Sequence, residues 1–254
     1  MAASGDLFFY AIAGFIVGIV LFAKGILWFR LKRLIENTPT SKVRSIAMGL
    51  VEVFGKVLPA QGKVLKSPFS GKDCVYYKYT IEQYQKTGKH SSSWVTVRKG
   101  DEGVPFHLKD ETGSVLVDPT GANVDIPMDF ELQSGIGKDP PPIVMGFLKK
   151  ISYKHDGFLF NKPVRYREYF LATNDSVYIM GTADDNPFVG EAAAKASAED
   201  VMIQKGGGNI YYISDKGEKE ILGGLRNKSL LGVFGGAVLS AGCLLIIFIS
   251  LGLI

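Results

Sequence analysis

Apolar residues along this chain gather in two unbroken blocks, one near each end, and between them apolar and polar positions alternate. The first block, Leu7 to Phe29, reads LFFYAIAGFIVGIVLFAKGILWF, 23 residues with one charge, Lys24. The second, Leu230 to Ile254, reads LLGVFGGAVLSAGCLLIIFISLGLI, 25 residues with none. A helix rising about 1.5 Å per residue needs roughly 20 apolar residues to cross a bilayer core. The pattern therefore predicts transmembrane helices over 7–29 and 230–254. Lys24 lies toward the basic end of the first span, where its stem can snorkel to the interface. Tyr10 and Trp28 sit near its two ends, as in an interfacial aromatic belt. A cleaved secretory signal would begin basic and have a shorter core. Here MAASGD carries no basic side chain and the basic residues follow the block, so a retained anchor is expected.

The intervening stretch, 49–223, has the period of two that half-buried strands require. In Val75 to Gln83, VYYKYTIEQ, Val75, Tyr77, Tyr79 and Ile81 share one face. Further strands are predicted at Leu50–Leu58, Trp94–Lys99, Val104–Leu108, Ser114–Asp118, Arg165–Ala172, Ser176–Thr182, Val201–Gln204 and Asn209–Ser214. Asp110-Glu111-Thr112-Gly113 reads as a four-residue loop, and Asn174-Asp175 as a turn of residues that tolerate positive φ. Gly206-Gly207-Gly208 reads as a flexible loop. Prolines 140–142 followed by IVMGFLKK predict a short helix at Ile143 to Lys150. Asp184 to Glu199 is an Ala-rich loop or second short helix. The expected architecture is membrane α plus mostly β: two transmembrane helices flanking an antiparallel β-barrel or sandwich-like domain with one or two short helices.

Charge adds orientation. Arg30, Lys32, Arg33, Lys42 and Arg44 follow the first span; Lys216, Lys219, Arg226 and Lys228 precede the second; the outer flanks hold no Lys or Arg. Positive residues favour the cytoplasmic side. The central domain is thus expected on the cytoplasmic face with both termini outside, and Arg30, Lys32, Arg33, Arg226 and Lys228 at the membrane interface. Gly14 and Gly18 share one face of the first span; Gly232, Gly236 and Ser240 share one of the second. This spacing suits close helix packing, between the two spans or between copies of the chain.

Composition removes several chemistries. Two cysteines, Cys74 and Cys243, make no disulfide framework or Cys-rich zinc site, and His90, His107 and His155 are scattered. There is no phosphate-binding GxxxxGK[ST] loop, HExxH or GxSxG. Neither a cofactor nor a metal is expected. The net charge is only +4 and the basic residues cluster near the membrane ends, so nucleic acid is not an expected partner. Cys74 is a weak catalytic candidate, with His90 or His107 as base; the alternative is a small apolar filler at the start of a strand. For contacts with a protein partner or lipid, the candidates are Lys66, Phe69 and Lys72 in the aromatic-basic turn KSPFSGK, Trp94 beside the loop GKHSSS, and Lys149 and Lys150 on the short helix. The alternatives are a packed turn, a hairpin tip and a helix laid on the sheet.

The blocks SPFSGKDCVYYKY and FHLKDETGSVLVDP, with RYREYFLATNDSVYIMGTA and YYISDKGEKEIL, resemble the GIDE family, also called the "beside a membrane" domain. That domain occurs in the mitochondrial outer-membrane ubiquitin and SUMO ligase that carries a RING, and in many prokaryotic membrane proteins. The resemblance implies helix, β-rich domain, helix, and a prokaryotic, plasma-membrane setting. It does not carry over the ligase activity: a RING needs about eight Cys/His zinc ligands in paired spacings, and none has a counterpart here. Function is expected to be that of a non-catalytic, membrane-anchored interaction or scaffold module, its partners the bilayer, an unknown protein and further copies of itself. The alternatives are a degenerate E3 ubiquitin-ligase-like protein, an enzyme dependent on Cys74, and a homo-oligomeric pore.

Overall fold

The computed structural model describes residues 2–86, 91–135, 137–153, 163–187, 200–207 and 210–253. In chain order its elements are α1 (Ala2–Asn37), β1 (Thr40–Ser41), β2 (Gly49–Pro59), β3 (Leu65–Lys66), β4 (Asp73–Cys74), β5 (Tyr76–Lys86), β6 (Ser92–Gly103), β7 (Phe106–Lys109), β8 (Ser114–Val117), β9 (Asn123–Asp125), β10 (Phe130–Ser134), α2 (Pro142–Lys150), β11 (Val164–Leu171), β12 (Ser176–Asp185), β13 (Val201–Gln204), β14 (Tyr212–Ser214), α3 (Glu218–Leu230) and α4 (Gly236–Ser250). A π-helical turn, Leu231–Gly235, joins α3 to α4. His90, His155, the loop tip at 88–90, the Gly208-Asn209 step and most of the Ala-rich stretch, 188–199, lie outside the described residues. Two compact units form: Met1–Pro39 with Gly217–Ile254, and Thr40–Lys216.

In the first unit both apolar blocks are helical, and both helices are long and apolar enough to cross a membrane. Each runs beyond its apolar block. α1 continues to Asn37, where Pro39 cannot extend the hydrogen-bond ladder. The second starts at Glu218, on the polar stretch ahead of Leu230. α1 packs along α3, the π turn and α4. Glycine makes the approach possible. A Cβ on Gly25 would stand 2.4 Å from the Val233 backbone nitrogen, and one on Gly18 would stand 2.8 Å from that of Ser240. The small-residue faces thus meet within one chain, where dispersion and close backbone contact can hold helices together in lipid. Outward-facing Phe9, Tyr10, Leu231, Phe234 and Val238 are exposed.

The second unit holds a closed ring of five strands. β2 pairs antiparallel with β7, β7 antiparallel with β8, β8 parallel with β13, β13 antiparallel with β12, and β12 antiparallel with β2. Three consecutive strands and a fourth returning beside the first make a Greek key, which the fifth closes into a barrel. β12 also carries β14 along residues 178–180, and β14 carries β9. Val53, Val57, Phe106, Leu108, Val115, Val117, Val177, Ile179 and Ile203 fill the barrel, each fully buried. Glu52 is also buried; β1 lies parallel against β2 there and the Thr40 hydroxyl donates to its carboxylate at 2.7 Å.

Two excursions from the barrel build a second, four-stranded sheet in the order β10-β11-β5-β6. β5 and β6 leave between barrel strands β2 and β7; β10, α2 and β11 leave between β8 and β12. One face of this sheet takes the amphipathic helix α2, which seats Val144 and Leu148 on Ile81, Val164 and Tyr166.

Candidate functional site

The turn from Lys66 to Asp73 is organised from beneath. Gly71 adopts φ +70°; across the turn Ser67 N donates to Lys72 O at 2.9 Å, and Gly71 N donates to Ser67 O at 3.1 Å. Ser67 Oγ accepts from Lys72 N at 2.9 Å. Glu168, fully buried on β11, receives the amides of Phe69 and Ser70 on Oε2 and the Ser70 hydroxyl on Oε1 at 2.6 Å. Such bonds to a carboxylate are among the stronger ones in a protein. They pull Phe69 inward, where its ring meets Tyr79, Phe147 and Tyr166 edge to face at centroid separations of 5.9, 5.7 and 5.5 Å. Phe69 is only 2% exposed, so it is a core residue and not a surface contact, which corrects the expectation. Burying such a ring contributes about 2 kcal/mol. Lys66 pairs with Asp73 at 2.7 Å on the surface, and Lys72 is exposed.

The other face of the second sheet is open. Register places side chains in rows across three strands: Tyr169, Lys78 and Asp101; Arg167, Thr80 and Lys99; Arg165, Glu82 and Thr96. Arg165 Nε grips Glu82 at 2.7 Å while its guanidinium covers the Trp94 ring at 4.5 Å. Trp94 also packs on Tyr84, 5.3 Å between centroids, and is half-buried. Arg167 Nε pairs with Glu131 at 2.7 Å. Lys78 Nζ donates to the Val124 carbonyl at 2.9 Å and lies 4.9 Å over the Tyr169 ring; burial pulls its pKa down. Lys78, Thr80, Lys99, Asp101 and Tyr169 help line a concavity of about 580 Å³. Beside it Asp125 takes the Tyr212 hydroxyl at 2.9 Å and Lys216 at 3.3 Å. This is a face of paired charges and aromatic rings, suited to recognition.

Cys74 and His107 are not brought together as a working pair. The Cys74 thiol is fully buried at the end of β4, reaches the Leu65 carbonyl at 3.7 Å, and is pushed up to about 12, first by burial and then by the charge of Glu168. A thiol held so far from its thiolate is a poor nucleophile. His107 lies on barrel strand β7 and lines a separate concavity of about 330 Å³ with Gln61 and Pro105. Among the described residues no group of three or more His, Cys, Asp and Glu is placed to hold a metal.

Lys149 and Lys150 are exposed at the C-terminal end of α2, with the apolar face of that helix turned onto the sheet. In the other unit Lys32 pairs with Glu36 at 2.7 Å, Arg33 lies 5.5 Å over Phe29, and Arg30, Arg226 and Lys228 are exposed. Arg165, Arg167, Glu82 and Glu168 escaped the sequence reading. The alternation in RYREYF was the available signal: it puts both arginines on one face and Tyr166 with Glu168 on the other.

A family model described as GIDE, E3 ubiquitin ligase, matches residues 76–247. No curated protein and no solved structure matches the chain.

Proposed function

Because this chain belongs to the GIDE family, an E3-ligase-associated membrane domain, we propose that it is a membrane-anchored interaction module rather than a catalyst. Its two helices anchor the chain, the β-domain sits on the cytoplasmic face, and both termini lie outside. The domain presents its open sheet face, with Trp94, Tyr84, Arg165 and Lys99, to a protein partner, while Lys66, Lys72, Lys149 and Lys150 add cationic contacts.

The observation that carries this reading is the extent of the family match. Residues 76–247 run from the first strand of the open sheet into α4, so the β-domain from β5 onward and the second apolar helix are matched together. A domain matched together with its membrane helix is suited to acting at a membrane. The chemistry of the sheet face supports recognition: rings capped by guanidinium groups give contact area at low entropic cost. The ligase description does not extend to a reaction at Cys74, whose thiol is buried and protonated.

Photo-crosslinking in native membranes tests the proposal, with a photoreactive amino acid at position 94, 99 or 149. A discrete protein adduct from positions 94 and 99 is the expected result. Ubiquitin transfer by the purified chain, or labelling of a cysteine introduced at Lys66 from the outer side of intact cells, would overturn it.

A further inference from the structure

The barrel carries a feature that the module reading does not use. The register of β2 against β7 sets Lys56 directly opposite Lys109, and that of β2 against β12 sets Lys56 opposite Ser176. Opposed side chains on one sheet face have Cβ atoms about 5 Å apart, and like charges there are destabilising. Both lysines are exposed residues, and among the described residues no ion pair engages either of them.

Two acids share the surroundings of this pair, Asp110 and Glu111, and both carboxylates are engaged by other groups. Asp110 accepts the amides of Val43, Thr112 and Gly113 and the Thr112 hydroxyl, at 2.7–3.0 Å. Glu111 pairs with Lys42. Apolar surface stands beside the lysines on the same strand: Phe54 is 47% exposed, and Leu58 is half-buried. With Asn174, Ser176, Asp110 and Glu111 these residues line a concavity of about 460 Å³, within the range of small-molecule sites.

We propose that this concavity binds an acidic amphiphile: an oxyanion, phosphate or carboxylate, held between Lys56 and Lys109, with an adjoining apolar group laid over Phe54 and Leu58. An oxyanion between the two ammonium groups turns their repulsion into two charge-assisted hydrogen bonds. Ser176 and Asn174 supply neutral donors at the rim. A like-charge pair with no ion-pair partner of its own is the kind of local conflict that functional positions carry. The same chemistry is found in a soluble phosphate ester and in an anionic lipid headgroup. The inference stands apart from the partner-binding role of the open sheet face.

The test is calorimetric titration of the full chain in dodecyl maltoside with inorganic phosphate, hexyl phosphate, dihexanoyl phosphatidic acid and dihexanoyl phosphatidylcholine. Hexyl phosphate is expected to bind more tightly than inorganic phosphate, and phosphatidylcholine not at all. Lys56→Gln and Lys109→Gln should each weaken hexyl phosphate at least tenfold, and Phe54→Ala should weaken it while leaving inorganic phosphate unchanged. Phosphatidic acid binding more tightly than hexyl phosphate assigns the site to lipid; equal or weaker binding assigns it to a soluble ligand. Thermal melting supplies a second measurement: each Gln variant should melt at or above the parent temperature, because a repulsion has been removed. The proposal fails if neither ester binds, if phosphatidylcholine binds as well as they do, if the Gln variants bind normally, or if they melt lower.

Discussion

The hydroxyl of Ser70 donates to Glu168 Oε1 across 2.6 Å, joining a surface turn to the middle of β11. The amides of Phe69 and Ser70 complete the grip on the other oxygen. A carboxylate buried this deeply persists because donors surround it, and those donors depend on it in turn. Glu168→Ala should therefore cost about 3 kcal/mol, since it orphans buried N–H groups, while Ser70→Ala should cost about 1 kcal/mol. Denaturant unfolding of the full chain in a Trp28→Phe background, followed by Trp94 fluorescence, measures both. No loss from either substitution would show that the turn is held by Phe69 packing alone.

The helix pair in the membrane unit makes a covalent prediction. An added Cβ at Gly14 would lie 4.0 Å from the Cys243 Cβ, inside the range that disulfides span. Gly14→Cys should form an intramolecular disulfide with Cys243 on mild oxidation in membranes, seen as a mobility shift reversed by reductant. Disulfide-linked dimers in its place would mean that the small-residue faces join two chains.

Among the helix glycines, the nature of the obstructing atom sets the outcome of substitution. At Gly25 an added methyl meets backbone of the facing helix, at Gly14 only the movable Cys243 thiol at 2.7 Å. Gly25→Ala, combined with Gly14→Cys, should force the helices apart and lower the yield of the disulfide to Cys243 several-fold. Gly242→Ala, where nothing lies within 4 Å, should leave the yield unchanged and serves as the control.

Thiol chemistry separates a structural Cys74 from a catalytic one. In a Cys243→Ser background the folded chain should resist maleimide at pH 7.5, and denaturant should release one equivalent. Rapid labelling of the folded protein at neutral pH would reopen the enzyme reading.

Asp110 links stability to pH. Burial raises its pKa, but hydrogen bonds from Thr112, Val43 and Gly113 outweigh that and hold it below the ordinary 3.8. A carboxyl depressed in the folded state contributes stability that is present above its unfolded value and lost as pH falls through the folded one. Asp110→Asn should thus lower the melting temperature at pH 7, with the gap to the parent narrowing below pH about 4. A gap that stayed constant to pH 3 would remove the charge from the account.

Local chemistry was legible where it is local in origin. The loop Asp110–Gly113 joins β7 to β8 as its residues predict, Asn174 takes φ +73° in its turn, and α2 falls where the prolines and apolar spacing put it. The strand periods held even where partners did not follow chain order. β11 and β12 are joined by a short turn, yet β11 pairs with β5 and β10 while β12 pairs with β2, β13 and β14. A turn specifies how the chain reverses; it does not specify which sheet receives the next strand. Phe69 shows the same limit at a single residue. In KSPFSGK it reads as an exposed aromatic, because the acceptor that draws it inward lies 99 positions along the chain.

The sequence alone determined the two apolar helices and the strand-rich middle, since these rest on the length of the apolar runs and on a period of two, which short stretches encode by themselves; the family was legible in the resemblance of whole sequence blocks. Only the tertiary structure decided that glycine faces close within one chain, that two excursions make a second sheet, that Cys74 is sealed, and that Lys56 confronts Lys109. Each of those depends on register between distant segments, and register follows from burying the whole core at once.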